Sequence, residues 1–223
     1  MESVKKPRKD GESKGKAEPE KTHPTLVARP FHHEGWIYEE KYDGWRLVAH
    51  KRDGQVWLLS RHHRDHTRRF PALAAAIAAL APPTLILDGE VAVFDAQLIS
   101  RFEWLRQRDP AAVATPPVYM VFDLLRRGPH DLCREPLHTR RAALERLVGG
   151  QDLLFPARRL AVNGLKAWDE VLRRGYEGLV AKDEASPYAG GRTLSWLKVR
   201  QRDYRVAARG FRSRLPFRDV PLP

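Results

Sequence analysis

Lys41 stands in the stretch EEKYDGWR, Glu39 to Arg46, with a carboxylate two residues before it, Asp43 two residues after it, and a glycine and an arginine close behind. A lysine amine in neutral water is protonated and attacks nothing; partial burial and neighbouring cations turn it into a nucleophile. If Lys41 does chemistry, the rest of the chain must supply cations for a charged substrate, carboxylates for a metal and an aromatic platform. Candidates for each are spread along the sequence. Asp88 and Glu90 lie in TLILDGEVAVFD, Phe122 in VYMVFDLL, Glu177 and Lys182 in EGLVAKD, and Lys198 and Arg200 in WLKVR. Taken singly each has a plain structural reading. Asp88-Gly89 is a turn, Phe122 fills a core, and WLKVR is an edge strand with a solvated basic face.

These side chains need elements to hold them. Trp36 to Glu40 reads as a strand that delivers Lys41 at its end. Arg46 to Lys51 and Val56 to Leu59 read as two strands joined at Asp53-Gly54, a dipeptide that accepts the positive backbone angles of a tight hairpin turn. Pro71 opens an alanine-rich helix to about Ala81, and Thr84 to Asp95 reads as two apolar strands meeting at Asp88-Gly89-Glu90. Ser100 to Arg108 predicts a short helix with Phe102 and Leu105 inward, and Val118 to Leu125 a strongly apolar strand. Thr139 to Val148 predicts a helix burying Ala142, Leu144 and Leu147 and ending at Gly149-Gly150. Asp152 to Arg159 reads as a strand, Leu165 to Arg174 as a helix closed by Gly175, and Glu177 to Asp183 as a further strand. In Trp196 to Arg200, Leu197 and Val199 face one way and Lys198 and Arg200 the other. Short strands interleaved with helices, several of them hairpin-linked, predict an α+β architecture.

The chain has 223 residues, long enough for a substantial core, and carries a net charge of +12. Its pI is near 10.1. A surplus of this size draws phosphate polyanions, so nucleic acid is the leading partner, ahead of a membrane surface. The charge clusters. Residues 61–69 hold four Arg and one Asp, with His62, His63 and His66 interleaved, and Arg61, Arg64, Arg68 and Arg69 are candidates for contact with phosphates. From Arg200 onward there are seven Arg against two Asp. The single cysteine, Cys133, excludes an intrachain disulfide and suits a reducing cytoplasm, and no apolar run reaches membrane-spanning length.

In order, EEKYDGWR, SRHHRDHTRRFP, LDGE, VFDLL, EGLVAK and WLKVR resemble the six core motifs of the covalent nucleotidyltransferases. Within that superfamily the chain is similar to the adenylation domain of ATP-dependent DNA ligases, in particular the ligase domain of bacterial end-joining enzymes. The resemblance runs from about Trp36 to Arg200. It implies the ATP-grasp-like nucleotidyltransferase fold, with antiparallel sheets flanked by helices. It also implies that Lys41 attacks the α-phosphate of ATP, expels pyrophosphate and carries AMP as a phosphoramidate, a reaction governed by alignment and charge neutralisation. Glu39 would accept a hydrogen bond from the adenine amino group, Phe122 would stack on the base, and Arg46 and Glu90 would hold the ribose and its surroundings. Glu177 with Glu90, and Asp43 through water, would coordinate Mg2+, for which Mn2+ could substitute. Lys182 and Lys198 would bind the α-phosphate, with Arg200 where the family usually has a second lysine. Arg61 would hold the 5′-phosphate of a nick in double-stranded DNA. Where the family commonly has glycine this chain has His63.

The expected organisation is a disordered charged tail over residues 1–22, an adenylation domain over 23–204 and a basic extension over 205–223. DNA ligases continue into an OB-fold of roughly 100 residues; about twenty residues remain here, so the OB-fold is expected to be absent and a repair partner protein to stand in for it. The resulting expectation is a minimal DNA ligase acting in repair and recombination in the bacterial cytoplasm, beside the nucleoid. The alternatives are a non-catalytic or partner-dependent factor that binds broken DNA, and an RNA ligase. A lysyl-adenylate excludes the non-catalytic factor, and comparison of nicked DNA with nicked RNA separates the two ligases.

Overall fold

The computed structural model describes residues 20–106, 114–202 and 204. Among these the elements run β1 (Thr22–Leu26), β2 (Trp36–Glu40), β3 (Trp45–Arg52), β4 (Gln55–Ser60), α1 (Pro71–Ala79), β5 (Thr84–Ala92), α2 (Phe102–Arg106), β6 (Val118–Arg127), β7 (His130–Asp131), α3 (Leu137–Val148), β8 (Leu154–Pro156), α4 (Gly164–Arg174), β9 (Gly178–Asp183) and β10 (Gly191–Arg200).

Two sheets result. The first has the order β1-β10-β9-β2, antiparallel except for the parallel β1–β10 pair. The second has the order β4-β3-β5-β6-β7, antiparallel throughout, with β8 added parallel to β6. The β3–β4 hairpin closes on Asp53 (φ 49°) and Gly54 (φ 80°), the pair of left-handed residues that a two-residue turn between twisted strands requires. Apolar faces drive the layering. Leu47, Leu58, Leu87, Val91 and Tyr119 of the second sheet bury against Leu73 and Ile77 of α1 and Leu144 and Val148 of α3. Trp36, Tyr38, Leu179, Leu197 and Val199 of the first sheet bury against Ala167 and Val171 of α4. A fully buried side chain of this size contributes about 1.5–3 kcal/mol relative to an exposed one, so each sheet is anchored by its own helices. The edge between the two sheets is where the site forms.

The end of β2 at Glu40 and the closure of α4 at Gly175, in the left-handed conformation at φ 75°, coincide with the sequence reading. Four expectations need correction. TLILDGEVA is one continuous strand, β5, with a register shift between Asp88 and Gly89 rather than a turn. The glycine is there for space: a Cβ on Gly89 would lie 2.6 Å from the Tyr119 ring, whose hydroxyl donates to the Leu47 and Leu87 carbonyls. β8 is only three residues long, and the flanking segments make loop contacts instead. In α3 the fully buried positions include Arg140 and Arg141, while Ala142 and Leu147 are only half-buried. β10 is not an edge strand but lies between β1 and β9, because β1 pairs with it. That strand begins at Thr22, within the expected tail; residues 1–19, the end of the 100–108 helix and residues 205–223 lie outside the described residues. No helix among the described residues is long and apolar enough to cross a membrane.

Candidate functional site

Strand β2 ends at Glu40, and the next residue, Lys41, is pinned by its N–H, which donates to the Gly178 carbonyl at the start of β9. Immediately after it the backbone passes so close to β5 that a Cβ on Gly44 would lie 2.4 Å from the Val91 carbonyl oxygen and 2.7 Å from Glu90 Cγ. Glycine at that position is what lets Lys41 and Glu90 share a pocket. The pocket, roughly 210 Å³, lies between the two sheets. Glu39, Lys41, Lys182, Trp196 and Lys198 line it from the first sheet, and Arg46, Glu90 and Phe122 from the second.

At one end sits the nucleophile candidate. Lys41 Nζ lies 2.6 Å from Glu177 Oε2, and Glu177 Oε1 accepts the Arg200 guanidinium at 3.0 Å. Burial lowers the pKa of Lys198, and the charges of Lys41 and Arg200 lower it further. Three cations thus gather around one carboxylate, a surplus suited to an anionic ligand. Glu90, partly open to the cleft, is pushed up to about 8, chiefly by burial and then by facing Glu177 and Asp88, against the opposing pull of Lys41 and Arg46.

At the other end lies the aromatic platform. Phe122 meets Trp196 edge-on, with centroids 5.9 Å apart, and carries the Arg46 guanidinium at 5.2 Å and the Lys182 amine at 4.6 Å from its centroid. Glu39 is buried here between two cations, Arg141 Nη1 at 2.7 Å from Oε1 and Lys182 Nζ at 2.5 Å from Oε2. Glu39, Lys182 and Trp196 all line the pocket, and Trp196 Nε1 is buried there without a hydrogen-bond partner. Burial lowers the pKa of Lys182.

Several residues sit differently from expectation. Lys182, expected on the α-phosphate, has its amine against Glu39, Phe122 and Trp196, on the platform side. Arg46, expected at the ribose, forks onto Asp88 at 3.0 and 2.6 Å and donates to the Thr22 carbonyl at 2.7 Å, so its guanidinium locks β3 to β5 and β1. Tyr188 completes that lock by donating to Asp88 Oδ2 at 2.7 Å. Asp43, expected near the metal, is turned away from the pocket: its Oδ2 accepts the Phe102 N–H at the start of α2, and its own N–H donates to Ser100 Oγ. Among the described residues no three of His, Cys, Asp and Glu gather closely enough to hold a metal ion. Glu177 and Glu90 are two carboxylates close enough for the charge of Glu177 to raise the pKa of Glu90.

The basic loop separates into two groups. Arg61 is exposed and lines a second hollow with Lys21, His23, His50, His62 and His63. His23 lies close enough to Arg46, Arg61 and Lys198 that, after burial, their charges lower its pKa, so this hollow adjoins the main pocket. Arg64 and Arg68 are also exposed. Arg69 differs. Its guanidinium donates to the Leu105 carbonyl at 2.5 Å and stacks over Trp45 and Phe70, so it serves the fold.

Sequence reasoning missed Arg140, Arg141, Trp196 and His23. A signal for the arginines was present: residues 140 and 141 fall on the same helical face as Leu137, Leu144 and Val148, where apolar residues belong. Charged residues on a core stripe indicate buried pairing.

Comparison with known proteins shows the family. A family profile described as the ATP dependent DNA ligase domain matches residues 16–200. The chain is 35% identical over 202 residues to the multifunctional non-homologous end joining protein LigD of Pseudomonas aeruginosa, covering 87% of this chain and 24% of that protein. It is 32% identical over 180 residues to the SPbeta prophage-derived DNA ligase-like protein LigB of Bacillus subtilis, covering 80% of this chain and 66% of that one. The solved ligase domain from M. tuberculosis LigD superposes with a TM-score of 0.67 at 31% identity, over 81% of this chain and 58% of that chain. A mycobacterial DNA ligase D complexed with ATP and MES superposes with a TM-score of 0.66 at 29% identity, over 79% of this chain and 60% of that chain. The chain thus spans about a quarter of the length of the LigD protein it matches.

Proposed function

The chain belongs to the family of ATP-dependent DNA ligase domains, and on that premise we propose that it binds ATP in the inter-sheet pocket, transfers AMP to Lys41 and passes it on to a nicked or broken DNA end for sealing. The observation that carries this reading is the position of Lys41 Nζ. It lies in the same pocket as the Phe122 platform, held by a carboxylate that also engages Arg200.

The base would lie against Phe122 with its amino group toward Glu39. That leaves the phosphates at the Lys41 end, where Lys198 and Arg200 supply charge for the oxygens that gain it during displacement. Lys41 must shed its proton before its lone pair can attack, and Glu177 Oε2, 2.6 Å away, is the acceptor within reach. The attack forms a bond from Nζ to the α-phosphorus and breaks the bond to the pyrophosphate oxygen, leaving AMP on the lysine. The contacts of the Lys182 amine with Glu39, Phe122 and Trp196 support a role at the platform rather than at the phosphate.

Glu177 and Glu90 fit a divalent cation. Burial, and after it the charges of Glu177 and Asp88, raise the pKa of Glu90 to about 8, and a cation bound beside it would favour its ionised form. Mg2+ held by these two carboxylates and by phosphate oxygens would offset the anionic charge that repels an incoming electron pair. Arg61, Arg64 and Arg68 would follow the phosphates of the DNA strand. The setting consistent with this chemistry is the bacterial cytoplasm beside the nucleoid.

Incubation with ATP labelled at the α-phosphate, plus Mg2+, tests the reading. It should give an acid-labile adenylate on the protein that Lys41→Ala abolishes. Absence of label on the wild type, with nicked DNA and a cell extract supplied, would refute the first step.

A further inference from the structure

Arg140 and Arg141 on α3 are both fully buried, and nothing in the reaction above uses them. They reach in different directions. Arg140 forks onto Asp123 through Nε and Nη2, each at 2.8 Å, and its Nη1 donates to the carbonyls of Glu135 and Ser186. Arg141 donates through Nη2 to the Ala157 carbonyl, holds Glu145 at 3.1 Å through Nε, and sets Nη1 at 2.7 Å from Glu39 Oε1. Helix α3 packs on β6 and β8 of the second sheet, whereas Glu39 belongs to β2 of the first. Arg141 therefore crosses from the helix of one sheet to the strand of the other, beside the aromatic end of the pocket.

Burying a guanidinium is costly unless its donors are answered in good geometry. Here the burial is spent on a carboxylate that lines the pocket. Arg141 and Lys182 grip Glu39 from either side, 2.7 Å from Oε1 and 2.5 Å from Oε2, and Glu39 lines the pocket. A carboxylate has about four lone-pair sites, so one gripped by two cations can still accept a donor from a ligand in the pocket.

We propose that Arg141 is a positioning residue for nucleobase recognition: acting through Glu39, it aims a carboxylate acceptor at the exocyclic amino group of a purine bound against Phe122. The proposal rests on the ATP-binding reading above. A carboxylate accepts an amino N–H and repels a carbonyl oxygen, so this placement favours a 6-amino purine over a 6-oxo one. The planar fork of arginine fixes the carboxylate plane, which a lysine's single point charge does not.

Calorimetric titration of the whole chain in EDTA, where binding is read without turnover, tests this with two ligands: ATP, and purine riboside triphosphate, which lacks the 6-amino group. Wild type should prefer ATP by roughly ten- to hundredfold. Arg141→Met and Glu39→Ala should each reduce that preference to about threefold or less, with Arg141→Lys in between. Binding of the amino-free analogue should hardly change. The double variant should be no less selective than either single one, since both remove the same contact. Equal weakening of both ligands by Arg141→Met, as a merely structural role would give, overturns the assignment. So does an intact preference in the folded variant. Should Arg141→Met fail to fold, Arg141→Lys is judged by the same two criteria. A wild type that binds neither nucleotide marks a different failure, that of the ATP-binding reading, and this proposal falls with it.

Discussion

Lys41 Nζ and Glu177 Oε2 are 2.6 Å apart, and the other oxygen of the same carboxylate holds Arg200 at 3.0 Å. Glu177 therefore both orients the amine and provides the nearest place for its proton. Replacing it with glutamine keeps the shape but removes the charge and the proton acceptor. Glu177→Gln is expected to slow lysyl-adenylate formation about a hundredfold or more in single-turnover labelling. Arg200→Ala, whose partner contact is partly exposed, should slow it only about tenfold or less. Labelling of Glu177→Gln at the wild-type rate would show that this carboxylate does not govern the step.

The platform makes a separate prediction. Phe122 already stacks with cations and lies edge-on to Trp196, so its ring contributes a face rather than a hydrogen bond. Phe122→Ala should weaken ATP binding by about 1–3 kcal/mol, the range typical of a base–aromatic stack. Phe122→Tyr should retain most of the affinity. Calorimetric titration separates the two, and equal losses would argue against stacking.

The basic loop divides by what its guanidinium groups touch. Arg61, Arg64 and Arg69 are all exposed residues, but the Arg69 guanidinium is committed to the Leu105 carbonyl and two rings. Arg61→Ala should therefore lower the slope of log affinity for nicked DNA against log salt by about one. Arg69→Ala should leave the slope alone and lower the melting temperature. The reverse pattern would reassign the loop.

Glu40, next to Lys41, carries a pH signature. Its carboxyl is buried without hydrogen bonds, and the groups around it are Arg158 at 3.4 Å, Glu170 of α4, Tyr42 and Tyr176. Burial, moderated by Arg158 and aided by Glu170, raises its pKa from 4.5 to about 8. Between those values the folded state keeps a proton that the unfolded chain has released. Stability on this account falls as pH rises through the window, and levels off beyond it. Glu40→Gln removes the dependence. Relative to wild type it should gain on the order of a few kcal/mol between pH 5 and pH 9 in urea unfolding. Parallel pH profiles for the two proteins would sink the idea.

Gly89 tests the packing beneath the site. A methyl group there would meet the Tyr119 ring at 2.6 Å and the Met120 carbonyl at 2.8 Å, with β-sheet backbone on both sides. Gly89→Ala should destabilise by about 1–3 kcal/mol through overpacking. If the loss arises at the ring, Gly89→Ala combined with Tyr119→Leu should recover part of it.

The local readings came close wherever the signal was local. Trp36–Glu40 as the strand before Lys41, the Asp53-Gly54 hairpin and the α4 helix closed by Gly175 depend on alternation, turn chemistry and capping, all contained in a few adjacent residues. They failed where a distant partner decided. Asp88-Gly89 has the composition of a turn, but Tyr119 of the neighbouring strand fills the space over the glycine and keeps the chain extended.

The same division runs through the site. The order and chemical types of its members, Lys41, Glu90, Phe122, Glu177 and Lys198, were legible because each stands at or beside a strand with its own periodicity, and together they form an ordered motif set. Only the tertiary structure decided which of them face one another. Lys182 turned to Glu39, Asp43 turned to α2, Arg46 was taken by Asp88, and of two arginines on an otherwise apolar stripe Arg140 paired with Asp123 of β6 while Arg141 crossed to Glu39 of the other sheet. The reason is electrostatic: a charge that leaves water must find its partner within a few ångströms, and in this chain those partners are commonly tens of residues away in sequence, brought near only when the two sheets close.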